Sequence, residues 1–184
     1  MSEDKRIAIT GASGVGKTSL ANVLAEKLDL PLIPEVARAL CHQMGYQNPT
    51  EIPDQQSFRS QVLAEQIKEE SGRNSFVSDR STIDCWALWQ RWQICSAMTY
   101  DTEAYYERCK AHATRYTHII YVPPMFVPVE DQFRWTEPDY VKQVDRIVRL
   151  TLYDWSLLDR TFTIECDGPK ERAEAVRLWL ANAK

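Results

Sequence analysis

Gly11-Ala12-Ser13-Gly14-Val15-Gly16-Lys17-Thr18 satisfies the pattern GxxxxGK[ST] at every specified position. A short β-branched run, Arg6 to Thr10 (RIAIT), precedes it. After it comes TSLANVLAEKLDL, in which Leu20, Val23, Leu24 and Leu28 recur at helical spacing. Strand, glycine-rich loop and helix, in that order, are the context in which this pattern cradles phosphate. Glycines let the backbone curl, successive N–H groups point at an anion, and the helix start adds its positive end. On this reading Gly11, Ser13, Gly14, Val15, Gly16, Lys17, Thr18 and Ser19 hold nucleotide phosphates, Lys17 reaches the outer ones and Thr18 ligates Mg²⁺. ATP and Mg²⁺ are the expected cosubstrate and cofactor.

Working outward, residues 30–35 (LPLIPE) form a short apolar strand leading into the helical segment VARALCHQM. A longer polar helix spans about 53–71, with Pro53 near its start and Gly72 after its last residue. Residues 75–79 (SFVSD) read as a third strand. Ser81 and Asp84 then have the spacing of a capping box, which opens a helix over about 82–94. An amphipathic stretch covers about 102–114, and residues 118–122 (HIIYV) are the fourth strand. Pro123, Pro124 and Pro128 forbid regular structure, so the segment over about 127–137 reads as an irregular lid. A helix over about 138–159, a strand at 161–165 (TFTIE) and a last helix over 169–183 complete the chain. Strands alternating with helices predict a single α/β domain over residues 1–184. Its five-stranded, mainly parallel sheet carries helices on both faces. Ligands of such sheets bind beyond the carboxyl ends of the strands, where every motif discussed here falls.

The composition agrees with this class. The 184 residues are 44% hydrophobic and 26% charged, and a chain of this length buries a sizeable core without disulfides or structural metal. A formal net charge of -4, from 22 basic and 26 acidic residues, argues against a nucleic-acid partner. The five cysteines are scattered, without metal-ligand spacing, and read as reduced thiols in a cytoplasmic protein. No apolar run approaches the roughly 20 residues of a membrane helix, and no export signal is read at the N-terminus, so no membrane partner is expected.

Asp79 and Arg80 end the third strand. Phosphoryl transfer needs an acid to organise Mg²⁺ and a cation to neutralise the moving charge, and the pair supplies both at one place. An NKxD sequence for guanine is absent, and so are the paired acids of motor ATPases; the bland alternative for Asp79 and Arg80 is a structural ion pair. Glu35 ends the second strand and Arg38 follows one turn later. A carboxylate there suits a hydroxyl acceptor, whose proton it can take, whereas Arg38 suits a phosphate acceptor; a surface ion pair is the simpler reading of both. In the lid, Arg134 is the candidate to meet the transferring charge, with Arg146 and Arg149 on the following helix as lesser ones. Phe58 and Gln61 share a helix face and are candidates to stack on and hydrogen-bond a ring. Trp86, Trp89 and Trp92 recur every three residues and read mainly as core, with a pocket wall as the alternative. His42, His112 and His118 read as structural or exposed. The turn Asp167-Gly168-Pro169 sits where topology brings an adenine.

Taken together, GASGVGKTSL, PEVARAL, FVSDRSTIDCWA and VEDQFRW make the chain resemble a group of small P-loop kinase-like AAA domains. These are related to the nicotinamide riboside kinase domain of the bacterial NAD-biosynthesis regulator and, more distantly, to deoxynucleoside and thymidylate kinases. The resemblance implies a P-loop NTPase three-layer sandwich with a lid. It also implies that Glu35 faces the acceptor hydroxyl and that Asp79-Arg80-Ser81 serves Mg²⁺ and phosphate. Glu35 is not part of an Arg-Glu-Pro-Gly segment, which departs from thymidylate kinases. The catalytic set is then Lys17, Glu35, Asp79, Arg80 and Arg134, with Arg38, Phe58 and Gln61 added at the substrate and Thr18 and Asp79 at the metal. The expected activity is an ATP- and Mg²⁺-dependent kinase for the hydroxyl of a nucleoside-like small molecule, of nicotinamide riboside or deoxynucleoside type. The alternatives are a nucleoside monophosphate kinase and a non-catalytic nucleotide-dependent binding module. Apolar helix faces after the third strand would also allow a homodimer.

Overall fold

The computed structural model describes residues 4–93, 99–125 and 137–182. Five strands, β1 (Arg6–Thr10), β2 (Leu32–Ile33), β3 (Phe76–Asp79), β4 (His118–Tyr121) and β5 (Thr161–Thr163), form one sheet in the order β2-β3-β1-β4-β5. Every pairing is parallel, with Ile9 opposite Asp79 and Thr10 opposite Tyr121. The central strand explains its own sequence: Ile7, Ala8 and Ile9 are fully buried, because a strand covered on both faces needs a continuous apolar run. The edges are short: β2 has two residues and β5 stays partly exposed.

Among the described residues seven helices accompany these strands, the last following β5: α1 (Lys17–Leu28), α2 (Val36–Gln43), α3 (Gln55–Ser71), α4 (Thr82–Gln93), α5 (Thr99–Ala113), α6 (Pro138–Asp154) and α7 (Pro169–Asn182). α1 packs on α7, while α4 packs on α3, α5 and α6. Alternation along β4 separates the two groups. His118 meets Trp179 of α7 edge-on at 5.3 Å, and three residues later Tyr121 donates a 2.6 Å hydrogen bond to Asp145 of α6. Successive strand side chains point to opposite faces, so these contacts put helices on both sides of the sheet.

The helices end slightly differently from the sequence expectation. α3 starts two residues later than expected, because Asp54 caps it by accepting from the Ser57 amide at 2.9 Å. The long helix stops at Asp154, and a 3-10 turn at Leu158–Arg160 leads into β5. Of the expected lid, only Glu137 lies within the described residues, where it takes the N-cap position of α6 without a side-chain hydrogen bond. No helix among the described residues is long and apolar enough to cross a membrane.

Connections leaving β1 and β3 run to opposite sides of the sheet. The crevice between their carboxyl ends is where such sheets accept a ligand, and it receives both the glycine-rich loop and the Asp79-Arg80 pair.

Candidate active site

The loop from Gly11 to Gly16 turns sharply beside β4. Gly11 has φ +147°, and a Cβ there would lie 2.4 Å from the Val122 carbonyl oxygen, so only glycine fits. Gly16, at φ +91°, caps α1 without any side-chain hydrogen bond, and no acid occupies the first turn. Neither a capping side chain nor a first-turn acid therefore competes for the amides that open α1, which suits an anion site at a helix start.

Lys17 begins α1 and is buried. Its Nζ donates to the Gly11 and Ala12 carbonyls at 2.8 and 2.5 Å. Burial, followed by the nearby Arg80 guanidinium, lowers its pKa to about 7. Thr18 and Ser19 stand exposed on the first turn. Thr18 lies beside Asp79 and draws the Asp79 pKa down, but burial outweighs it and holds that carboxyl above the usual range. Asp79 Oδ2 is buried without a hydrogen-bond partner. A hard cation between Thr18 and Asp79 would satisfy this atom, so the residues present fit Mg²⁺.

Arg80 is held in a left-handed conformation, φ +89°. This places its Nε 2.5 Å from Glu35 Oε1 and its Nη1 3.6 Å from Asp84 Oδ1. Burial pulls its pKa down, but Glu35, Asp84 and Asp79 more than reverse the effect, leaving it above the usual arginine value and the group permanently charged. Arg38 Nε lies 3.6 Å from Glu35 Oε2, so both basic candidates converge on one carboxylate.

Asp84 has a role that its sequence position concealed. Its Oδ2 accepts from the Ser81 hydroxyl at 2.8 Å, while Oδ1 accepts from the Gly11 amide at 3.2 Å. It thus ties α4 to the phosphate loop in addition to closing the expected cap, in which Ser81 Oγ accepts from the Ile83 and Asp84 amides. Arg172 is a second such tie. Buried on α7, it donates to the Val15 carbonyl at 2.8 Å and to the Cys166 carbonyl at 2.9 Å, joining the phosphate loop to the loop that follows β5, just before Asp167-Gly168-Pro169. Neither link has a sequence signal beyond an acid at a helix start and an arginine in a C-terminal helix.

A cavity of about 310 Å³ opens beside the loop. Ser13, Glu35, Arg80 and Asp84 line it together with Phe58. Gln61 is a correction. It faces solvent and donates to Ser57 Oγ at 3.1 Å, because the buried face of α3 runs through Phe58, Val62 and Gln66. Gln66 lines the cavity and bonds Ser78 and Glu70 beneath it. The tryptophans divide. Trp89 is buried, stacked 4.0 Å from Tyr105, and Trp86 packs on Tyr106, whereas Trp92 lines the cavity. His112 is buried against Glu70 at 2.6 Å. Arg134 lies outside the described residues.

The model of an AAA domain family matches residues 6–162, most of the chain. The chain belongs to this AAA-domain family. Among solved structures, it is similar to the NadR protein in complex with NR, at 17% identity and a TM-score of 0.78. It is also similar to deoxyadenosine kinase from M. mycoides, at 14% and 0.73, and to shikimate kinase from Aquifex aeolicus, at 18% and 0.63. These matches cover 97%, 97% and 96% of the chain. They take in 52% of the NadR chain, 99% of the deoxyadenosine kinase and 96% of the shikimate kinase. The chain thus spans about half the length of NadR. No curated protein sequence matches it. At these identities the likeness establishes a P-loop kinase-like α/β fold for this AAA-domain protein.

Proposed function

We propose that this chain is an ATP- and Mg²⁺-dependent kinase that phosphorylates the hydroxyl of a nucleoside-like small molecule. The observation that carries the reading is the Glu35–Arg80 pair lining a cavity beside the phosphate loop, with Asp79 close enough to feel both charges. A mere ATPase has no use for an acceptor-sized cavity walled by aromatics beside its loop. The likeness to deoxyadenosine kinase and shikimate kinase supports the same class.

In this reading the loop amides and Lys17 hold the outer phosphates of ATP. Thr18 and Asp79 would hold Mg²⁺, which supplies positive charge to those phosphates when bound. Glu35 takes the proton of the acceptor hydroxyl as its oxygen bonds to the γ-phosphorus and the bond to the β-phosphate oxygen breaks, releasing ADP. Arg80 fixes Glu35 and, always charged, offsets the charge on the transferring group. Arg134 is retained as the lid residue proposed to meet that charge. The proposed setting is cytoplasmic, with a small molecule as partner and neither nucleic acid nor membrane involved; a homodimer remains part of the proposal.

The test is ADP release with Mg²⁺ across nucleosides, nicotinamide riboside and nucleoside monophosphates, with Lys17→Ala as control. Acceleration by a nucleoside supports the reading. Acceleration by monophosphates alone replaces it with a monophosphate kinase and recasts Arg38 as an acceptor clamp. Nucleotide binding without acceleration by any acceptor replaces it with a nucleotide-dependent binding module.

A further inference from the structure

One face of α4, Asp84, Leu88, Arg91 and Trp92, runs along the cavity from the phosphate loop outward. Asp84 and Arg91 are seven residues apart, which a helix spreads over about 10 Å, roughly the span of a sugar with a ring attached. The charges at the two ends differ in kind. At the loop end both acids that line the cavity, Glu35 and Asp84, are engaged by Arg80. At the outer end the cavity is lined by two more arginines, Arg59 and Arg91, and neither has a carboxylate partner among the described residues.

Aromatic rings hold both arginines instead. The Arg59 guanidinium lies 5.6 Å from the Trp92 ring centroid and that of Arg91 lies 5.4 Å from Tyr140. Arg59 has one weak hydrogen bond, 3.3 Å to Gln55 Oε1, and the Nε of each arginine is buried without a partner. Burial lowers the Arg59 pKa, opposed only by Tyr140, Tyr105 and Cys85, none of them a carboxylate. Two half-buried guanidinium groups without anions, in a chain of net charge -4, are costly unless a ligand supplies the anion. Such groups would repel the cationic pyridinium ring of nicotinamide riboside.

We propose that the acceptor carries an anionic group, a carboxylate or a phosphate, at the end remote from its reactive hydroxyl, and that Arg59 and Arg91 bind it. The flat remainder of the molecule lies against Phe58 and Trp92. This proposal rests on reading the cavity as the acceptor site.

Calorimetric titration of the full chain, saturated with ADP and Mg²⁺, with benzoate, phenyl phosphate and benzamide tests it. One anionic probe is expected to bind at least tenfold more tightly than benzamide, and which one it is identifies the group. Arg91→Gln and Arg59→Gln are each expected to remove the preference, with unchanged ADP affinity reporting an intact fold. Equal binding of all three probes, or a preference that survives in both variants, overturns the proposal. Turnover separates it from the kinase reading. A preference for nicotinate riboside over nicotinamide riboside, lost in Arg91→Gln, supports it; the reverse preference overturns it while leaving the kinase reading standing. Anion binding that depends on both arginines, with no ADP formed from any acceptor, sinks the kinase reading and leaves the anion site.

Discussion

Arg80 Nε donates to Glu35 Oε1 at 2.5 Å, although 45 residues separate the two in the chain. The ends of β2 and β3 bring them together, with Arg80 in a left-handed conformation that turns its side chain back toward the second strand. In this arrangement the carboxylate proposed as the base cannot swing away from the acceptor. Glu35→Gln keeps the shape and a hydrogen bond to Arg80 but cannot take a proton. A fall in kcat of about 10²- to 10⁴-fold with little change in KM is expected from steady-state kinetics. Glu35→Ala should in addition destabilise the fold, by up to about 3–5 kcal/mol in denaturant unfolding, because it strips a partner from a buried guanidinium.

Lys17 gives a pH signature. Its pKa is about 7 without nucleotide, against 10.5 in the unfolded chain. Contact with phosphate raises it, so ATP binding takes up a proton above pH 7 and affinity falls as pH rises through that window. Calorimetry at pH 8 in two buffers of different ionisation enthalpy should detect uptake of up to about one proton, absent in Lys17→Met. For stability, the folded nucleotide-free protein binds fewer protons than the unfolded chain between pH 7 and 10.5. Wild-type stability relative to Lys17→Met should therefore rise with pH across that range.

Asp79 titrates the opposite way in its effect on activity. Burial holds its carboxyl above the usual range, so it protonates at a milder pH than an exposed carboxylate and loses its affinity for a cation there. Turnover should decline on the acid side with a rising Mg²⁺ requirement. Asp79→Asn should raise the Mg²⁺ concentration needed for half-maximal rate about 10- to 100-fold at every pH, read from Mg²⁺ titrations of the rate. An unchanged requirement would remove Asp79 from the metal site.

The two faces of α3 should separate cleanly. Gln61→Ala removes an exposed side chain and should leave KM unchanged and stability within about 0.5 kcal/mol. Phe58→Leu alters the cavity wall and should raise the acceptor KM severalfold with ATP KM unchanged.

Gly11→Ala should be among the most damaging single changes. Its Cβ would meet the Val122 carbonyl oxygen at 2.4 Å in a backbone region that side chains rarely adopt. A loss of about 2–4 kcal/mol, seen as a fall in Tm of about 5–10 °C, is expected from thermal unfolding.

The local signals in the sequence determined much of this protein. GxxxxGK[ST] between an apolar strand and an amphipathic helix is a contiguous pattern whose glycines and lysine act within one turn of chain, so the phosphate loop was readable without tertiary information. Alternating strands and helices likewise implied the parallel sheet, and strand ends located Glu35, Asp79 and Arg80. Tertiary structure alone decided which side chains meet. Helical spacing places Phe58 and Gln61 near each other, but the packing of α3 selected Phe58, Val62 and Gln66 for burial. Asp84 read as a helix cap, and only the approach of α4 to the loop gave it the Gly11 amide. Nothing in the sequence set Arg59, Arg91 and Arg172 apart, since an arginine's meaning depends on whether a carboxylate lies within reach. That is fixed by contacts between residues far apart in the chain, which no local pattern encodes.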